Sequence, residues 1–149
     1  MHPTAARLGE RLRARGLDVE VRTLSASART AGEAADAVGC EVGQIVKSLV
    51  FVRDKLPVVV LCAGDRRVDT NRLRLIPASA EQARAATGFA IGGIPPLGHD
   101  SELQTLVDVS LRRFHTVWCA AGTPHAVFEV GTEDLIGAIE SATVLDVAP

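Results

Sequence analysis

A mixed α/β fold (α+β), with a largely antiparallel mixed sheet surrounded by helices, is what this 149-residue sequence predicts. Three observations carry that reading. Short apolar runs with strand patterning outnumber the helical stretches. Most of these runs follow one another through short turns instead of helical crossovers, which disfavours a doubly wound parallel sheet. No repeat, low-complexity tract or Ser/Pro-rich linker divides the chain, so residues 1–149 read as one domain, long enough to bury roughly 70% of its unfolded surface.

The spacing of Leu8 and Leu12, with Gly16 as a stop, predicts a first helix over Thr4–Arg15. Arg7, Arg11 and Arg15 then form a basic stripe, readable as a solvated face or as a ridge turned toward nucleic acid. Asp18 to Leu24 alternates as a short strand. Thr30-Ala31-Gly32-Glu33 fits a capping box and opens a second helix that Gly39 closes. The apolar runs Ile45–Val52 and Pro57–Cys62, separated by Arg53-Asp54-Lys55, predict an antiparallel hairpin of central strands. Asp69–Leu75 and Ala80–Ala86 read as short helices, and Thr87–His99 as an irregular glycine- and proline-rich segment. Strands are expected at Leu103–Val109, His115–Ala120 and Ala126–Val130. The last helix starts near Thr132, capped by that hydroxyl, and Ala142–Val147 closes the chain.

Composition removes several classes of function. No apolar run approaches the roughly 20 residues that span a bilayer, and the N-terminal stretch lacks the core of a secretory signal, so no membrane partner and a cytoplasmic location are expected. Cys40, Cys62 and Cys119 are odd in number and widely spaced, as reduced, packed thiols are. The four histidines and the cysteines never approach zinc-ligand spacing, so a metal is not expected. A net charge of -2 argues against bulk electrostatic binding of nucleic acid, and DNA is not an expected partner. Only Lys47 and Lys55 among the 16 basic residues are not arginine.

Lys47 is the most informative residue. Alternation places it with Ile45, Leu49 and Phe51, while Val46, Val50 and Val52 line the opposite face, so both faces of the strand are apolar. A lysine there is paired, sits at a cavity edge, is chemically employed, or guards an edge strand with its stem reaching solvent. The second feature is Gly88 to His99, whose glycines permit close approach of a ligand and whose adjacent Pro95 and Pro96 stiffen it. Such a segment presents amides to an oxyanion or serves as a plain turn. His125 follows a turn at Gly122-Thr123-Pro124 and is either a pocket residue or a surface one. No Gly-x-Ser-x-Gly elbow and no P-loop occur.

Taken together, Thr30–Ala35 leading to Gly39, Gln44–Phe51, Thr87-Gly88-Phe89, Gly92-x-x-x-Pro96, Leu97-Gly98, Val107-Asp108 and Ala121-Gly122 make the chain resemble the YbaK/ProX family, aminoacyl-tRNA deacylases that include the insertion domain of bacterial prolyl-tRNA synthetases. The resemblance implies that Lys47 is catalytic. It also implies that Gly92, Gly93, Ile94, Pro96, Gly98, His99, Gly122 and His125 shape or contact the aminoacyl pocket. It implies hydrolysis of the ester on a mischarged tRNA bearing a small amino acid, alanine on tRNA for proline being the first expectation. No metal or organic cofactor is implied, and a synthetase partner would supply tRNA affinity. Val127, roughly where cysteine-specific members carry an aspartate, and Ile94-Pro95 within the loop place cysteine lower. A catalytically silent module that docks tRNA or a synthetase is the alternative, and an esterase acting on free aminoacyl esters a third reading.

Overall fold

Local signals set most element ends in the computed structural model, which describes residues 1–149. Helix α1 (Pro3–Ala14) begins at Pro3, where proline costs no hydrogen bond, and stops before Gly16 at φ +84°. Helix α2 (Ala31–Val38) is capped by Thr30, whose hydroxyl oxygen accepts from the Glu33 amide at 3.1 Å. Gly39 ends it in the left-handed region. The reciprocal half of the box is missing, because the Glu33 carboxylate accepts from the Thr30 hydroxyl instead of the cap amide. Strands β2 (Val46–Arg53) and β3 (Leu56–Ala63) form the expected hairpin, in register from Val46–Ala63 to Arg53–Leu56. Its two-residue turn puts Asp54 and Lys55 at φ +52° and +67°, the conformation whose twist suits a tight hairpin.

The remaining elements are β1 (Val21–Thr23), β4 (Ile76–Pro77), α3 (Ala80–Thr87), β5 (Gln104–Asp108), β6 (Thr116–Ala120), β7 (Ala126–Gly131), α4 (Thr132–Ala138) and β8 (Ala142–Leu145). They build two sheets. One is five-stranded in the order β4-β2-β3-β5-β8, and the other is three-stranded in the order β1-β7-β6. The β3–β5 and β5–β8 pairings are parallel and the other four antiparallel, so the largely antiparallel mixed architecture holds, divided between two sheets. A single parallel bridge, Ile45 to Trp118, joins them.

Burial follows the period of two. Val46, Val50, Val59 and Leu61 face the main core with Ala5, Leu8 and Leu12 of α1 and Phe128 of β7. Phe51, Val58, Val60 and Cys62 face a second core closed by Leu73, Leu75 and Val147. A third cluster, Ala34, Ala35, Ile45, Trp118 and Val127, sits under α2 where the sheets meet. No helix is long and apolar enough to cross a membrane.

Two local expectations fail, each for a physical reason. Residues Asp69–Leu75 form irregular turns instead of a helix. The Asp69 side chain accepts from the Arg72 amide, Arg74 takes φ +56°, and Leu73 and Leu75 are both drawn into the second core. Thr132 is not the cap of α4, which is Gly131. The Thr132 hydroxyl donates to the Phe114 carbonyl at 2.7 Å because its own amide is tied to His115 beside β6. The arginine stripe of α1, with Arg7 and Arg15 exposed as on a solvated face, also makes contacts within the chain. Arg11 donates to the Gly98 carbonyl and to Asp100, Arg15 pairs with Glu102, and Arg7 lies over the Phe89 ring, so the stripe clamps the glycine-proline segment.

Leu8 is fully buried in the main core, and its Cδ1 lies 2.8 Å from where a Cβ on Gly98 would stand. Leu8→Ala is expected to lower stability by about 2–5 kcal/mol. Urea denaturation should show a lower midpoint with an unchanged slope.

Candidate active site

The first half of β2 is the wall on which the site is built. Strand β4 pairs only with Phe51 and Val52, so residues before Val50 present an open edge. The edge of β6 meets it at the Ile45–Trp118 bridge and then separates. The wedge between them is a cavity of about 640 Å³. Its floor is Ile45–Leu49 and Trp118–Ala120. Ala28–Gly32 at the start of α2 form one side, Gly64–Arg67 a second, and Ile91, Gly92 and Ile94 a third, with Thr123, Pro124, Ala126 and Val127 completing the wall.

Lys47 lies in this wall, half-buried, and its Nζ donates to the Arg66 carbonyl. That carbonyl is held by its own residue's charge. The Arg66 guanidinium lies 3.5 Å from the fully buried Asp108 carboxylate and 2.7 Å from Asp146. Asp108 in turn accepts from the amides of Ala63 and Ser110. An isolated buried carboxylate would be costly, and these donors offset its desolvation. Gly64 allows the loop its path, since a Cβ there would stand 2.3 Å from the Val42 carbonyl oxygen.

Around the cavity the charge is positive. Lys47, Arg29, Arg66 and Arg67 line it, and the one carboxylate in the wall, Asp65, has both oxygens on Arg113 at 2.8 and 2.9 Å. Those hydrogen bonds hold the Asp65 carboxyl below its usual range. Cys119 in the wall and Cys62 behind it are inert. Burial pushes Cys62, opposite Lys47 on β3, up to about 11 despite the pull of the lysine charge, and burial raises Cys119 as well. A thiol so desolvated is a poor nucleophile. No group of three or more His, Cys, Asp or Glu side chains is placed to hold a metal ion.

The residues singled out in the sequence separate into three groups. Lys47, Gly92 and Ile94 share the cavity. Gly93 and Gly122 lie behind its wall: a Cβ on Gly93 would come within 2.6 Å of Thr123 Cα, and one on Gly122 within 3.2 Å of the Phe89 ring. Pro96, Gly98, His99 and His125 are not in the wall. Left-handed turns at Gly92 (φ +97°) and Gly98 (φ +81°) redirect the segment, so only its first residues reach the cavity before it passes beneath α1. There His99 Nε2 donates to the Pro95 carbonyl at 2.7 Å, and burial lowers the imidazole's pKa. His125 is exposed; its backbone amide donates to Thr123 Oγ1 and its carbonyl accepts from Leu24.

Sequence reasoning missed the Asp65–Arg67 loop, the start of α2, Trp118 and Ser48. The charged triplet Asp65-Arg66-Arg67, following directly on an apolar strand and a glycine, was a usable signal. Ser48 gave none, yet its Oγ is buried with no hydrogen-bond partner.

This geometry belongs to a known class. Residues 25–138 match the model of the aminoacyl-tRNA editing domain, and the chain belongs to that family. YwhH of Bacillus subtilis, an uncharacterized protein, is 30% identical over 123 residues, 78% of each chain. The proline–tRNA ligase of Ligilactobacillus salivarius is 33% identical over 92 residues, which are 57% of this chain and only 16% of the ligase. A crystal structure described as a candidate trans-editing enzyme for prolyl-tRNA synthetase superposes with a TM-score of 0.92 at 44% identity, covering 100% of this chain and 99% of the other.

The buried imidazole has a consequence for stability. Because folding lowers the His99 pKa, the unfolded chain binds more protons below about pH 6.5. Stability is therefore full above that value and declines as pH falls through the folded pKa. His99→Gln should reduce this decline, read as a smaller fall in Tm between pH 7.5 and pH 5 than in the parent protein.

Proposed function

We propose that the protein is a trans-editing aminoacyl-tRNA deacylase that hydrolyses the ester of a small amino acid on a mischarged tRNA, with alanine on tRNA for proline as the first substrate. The whole 1–149 chain acts as one editing unit in the cytoplasm. The observation that carries this reading is the amine of Lys47 held at the wall of a basic-rimmed cavity that Gly92 and Ile94 also line.

Each part of the cavity has a chemical use. Arg29 and Arg67 suit the phosphates of a tRNA 3′ end, while Arg66 is held by Asp108 and Asp146. Lys47 holds the terminal phosphate or polarises the ester carbonyl, and amides of Gly92 and Ile94 supply hydrogen bonds on the oxyanion side, while the Gly93 amide is taken by the Ala90 carbonyl and shapes the segment. An aminoacyl ester is already activated, so orientation of water and stabilisation of the oxyanion suffice. Water adds to the carbonyl carbon, the bond to the ribose oxygen breaks, and free amino acid and tRNA leave. The substrate's own vicinal hydroxyl relays the proton. In support, Asp65 is committed to Arg113, and both His99 and His125 lie outside the cavity.

Discrimination rests on fit. Val127, Ile45 and Ala126 make the wall apolar, where one methylene changes selectivity by about 1–3 kcal/mol. A net charge of -2 with a locally basic rim suits a protein that receives tRNA with help from a synthetase.

The test is deacylation across a panel of mischarged tRNAs. Lys47→Ala is expected to lower kcat/KM by about 10²–10³ while leaving the fold intact. If no ester in the panel is cleaved faster than its spontaneous rate, the protein is a binding module and not a deacylase.

A further inference from the structure

Backbone hydrogen bonds around β2 show which groups face the cavity. Gly64 donates to the Ile45 carbonyl at 2.7 Å, so Ile45, Lys47 and Leu49 direct their in-plane amides and carbonyls toward β3. Ala78 donates to the Val50 carbonyl at 3.1 Å, so the even-numbered residues point the other way. The same parity holds on β6. Ala121 donates to Ala126, which assigns the odd residues to β7, while the Thr116 carbonyl faces outward and accepts from Gln44 Nε2. Ser48 and Ala120 therefore aim their N–H and C=O groups into the wedge, beyond the single bridge at Ile45–Trp118.

Ser48 and Ala120 are half-buried, and backbone groups withdrawn from water are nearly always paired, so an occupant that covers this pair of open edges must bring donors and acceptors of its own. The alternation along a strand edge selects its chemistry. An aminoacyl ester carries a cationic donor on Cα and a carbonyl acceptor on the next atom, the same succession that one peptide unit offers another. The wall leaves an ammonium few other acceptors, because its only carboxylate is taken by Arg113 and its remaining charges are positive.

We propose that the open edges at Ser48 and Ala120 form the subsite for the α-ammonium group and ester carbonyl of the aminoacyl moiety, read through main-chain groups as an added strand would be. Their carbonyls accept from the ammonium and their amides donate to the ester. The Ser48 hydroxyl, buried and unpartnered, stands beside the same subsite. Main-chain recognition leaves the side chain of the amino acid to be judged by volume alone, and it makes a free amino group a requirement. This inference rests on the deacylase reading above.

The experiment uses the full chain and two readouts. Alanyl-tRNA is compared with lactoyl-tRNA, in which a hydroxyl replaces the ammonium, and with N-acetylalanyl-tRNA. Hydrolysis of both altered esters should fall by about tenfold to a hundredfold in kcat/KM, as expected for loss of hydrogen bonds to a charged group. In parallel, the non-hydrolysable 3′-alanylamino-3′-deoxyadenosine is titrated against ¹⁵N-labelled protein, and the amide signals of Ser48 and Ala120 should shift more than with the lactoyl counterpart. Equal cleavage of all three esters with silent Ser48 and Ala120 amides overturns the subsite and leaves the deacylase standing. Selective amide shifts without cleavage of any ester uphold the subsite and remove the deacylase.

Discussion

An unpaired strand edge inside a folded chain is the constraint from which the site follows. Between Ile45 and Val50, β2 has a ladder on one side only, and β6 approaches it through a single bridge before turning away. Closing that gap with a continuous ladder would merge the two sheets and erase the cavity. Leaving it unlined would expose main-chain groups to an apolar interior, at a cost comparable to lost hydrogen bonds. The protein does neither. It surrounds the gap with the start of α2, the Gly64–Arg67 loop and the Gly92–Ile94 segment, the first two of which also carry charge.

Charge is held in place by the same scheme. Lys47 emerges from a strand whose neighbours are valine, leucine and phenylalanine, and its ammonium is received by a carbonyl, not by a carboxylate. The carboxylate stands one layer back, at Asp108, where it is fully buried and secures Arg66 and the amide of Ala63. A direct Lys–Asp pair would neutralise the amine. Setting the negative charge behind Arg66 fixes the loop while leaving the cavity rim positive.

The clamp on the glycine-proline segment works by similar economy. Its loops lack regular structure and would sample many conformations alone. Arg11 on the Gly98 carbonyl, Arg15 on Glu102 and the buried Thr87 hydroxyl, which accepts from the Phe89 amide and donates to Ala83, hold its two ends. The exposed pairs contribute little energy each, but they act on a segment already seated on Leu8 and Phe89.

Much of this was legible in the amino-acid order, because it depends on neighbours in the chain. Thr30 and Gly39 mark α2, the Asp54-Lys55 turn marks the hairpin, and the period of two in Ile45–Val52 marks a strand with Lys47 as its anomaly. The family motif pointed to the same lysine and to Gly92 and Ile94. What the order could not decide were relations between distant segments. His99 lies seven residues after Gly92 yet outside the cavity, since two left-handed glycines redirect the chain. Asp65–Arg67 and Trp118 are far from Lys47 in sequence and adjacent to the same cavity in space. The arginine stripe gave no sign of its partners, Gly98 to Glu102, because they are about ninety residues away. Periodicity and capping are local and therefore readable; the splay of two strand edges arises from packing of sheets against each other, and only the tertiary structure decides it.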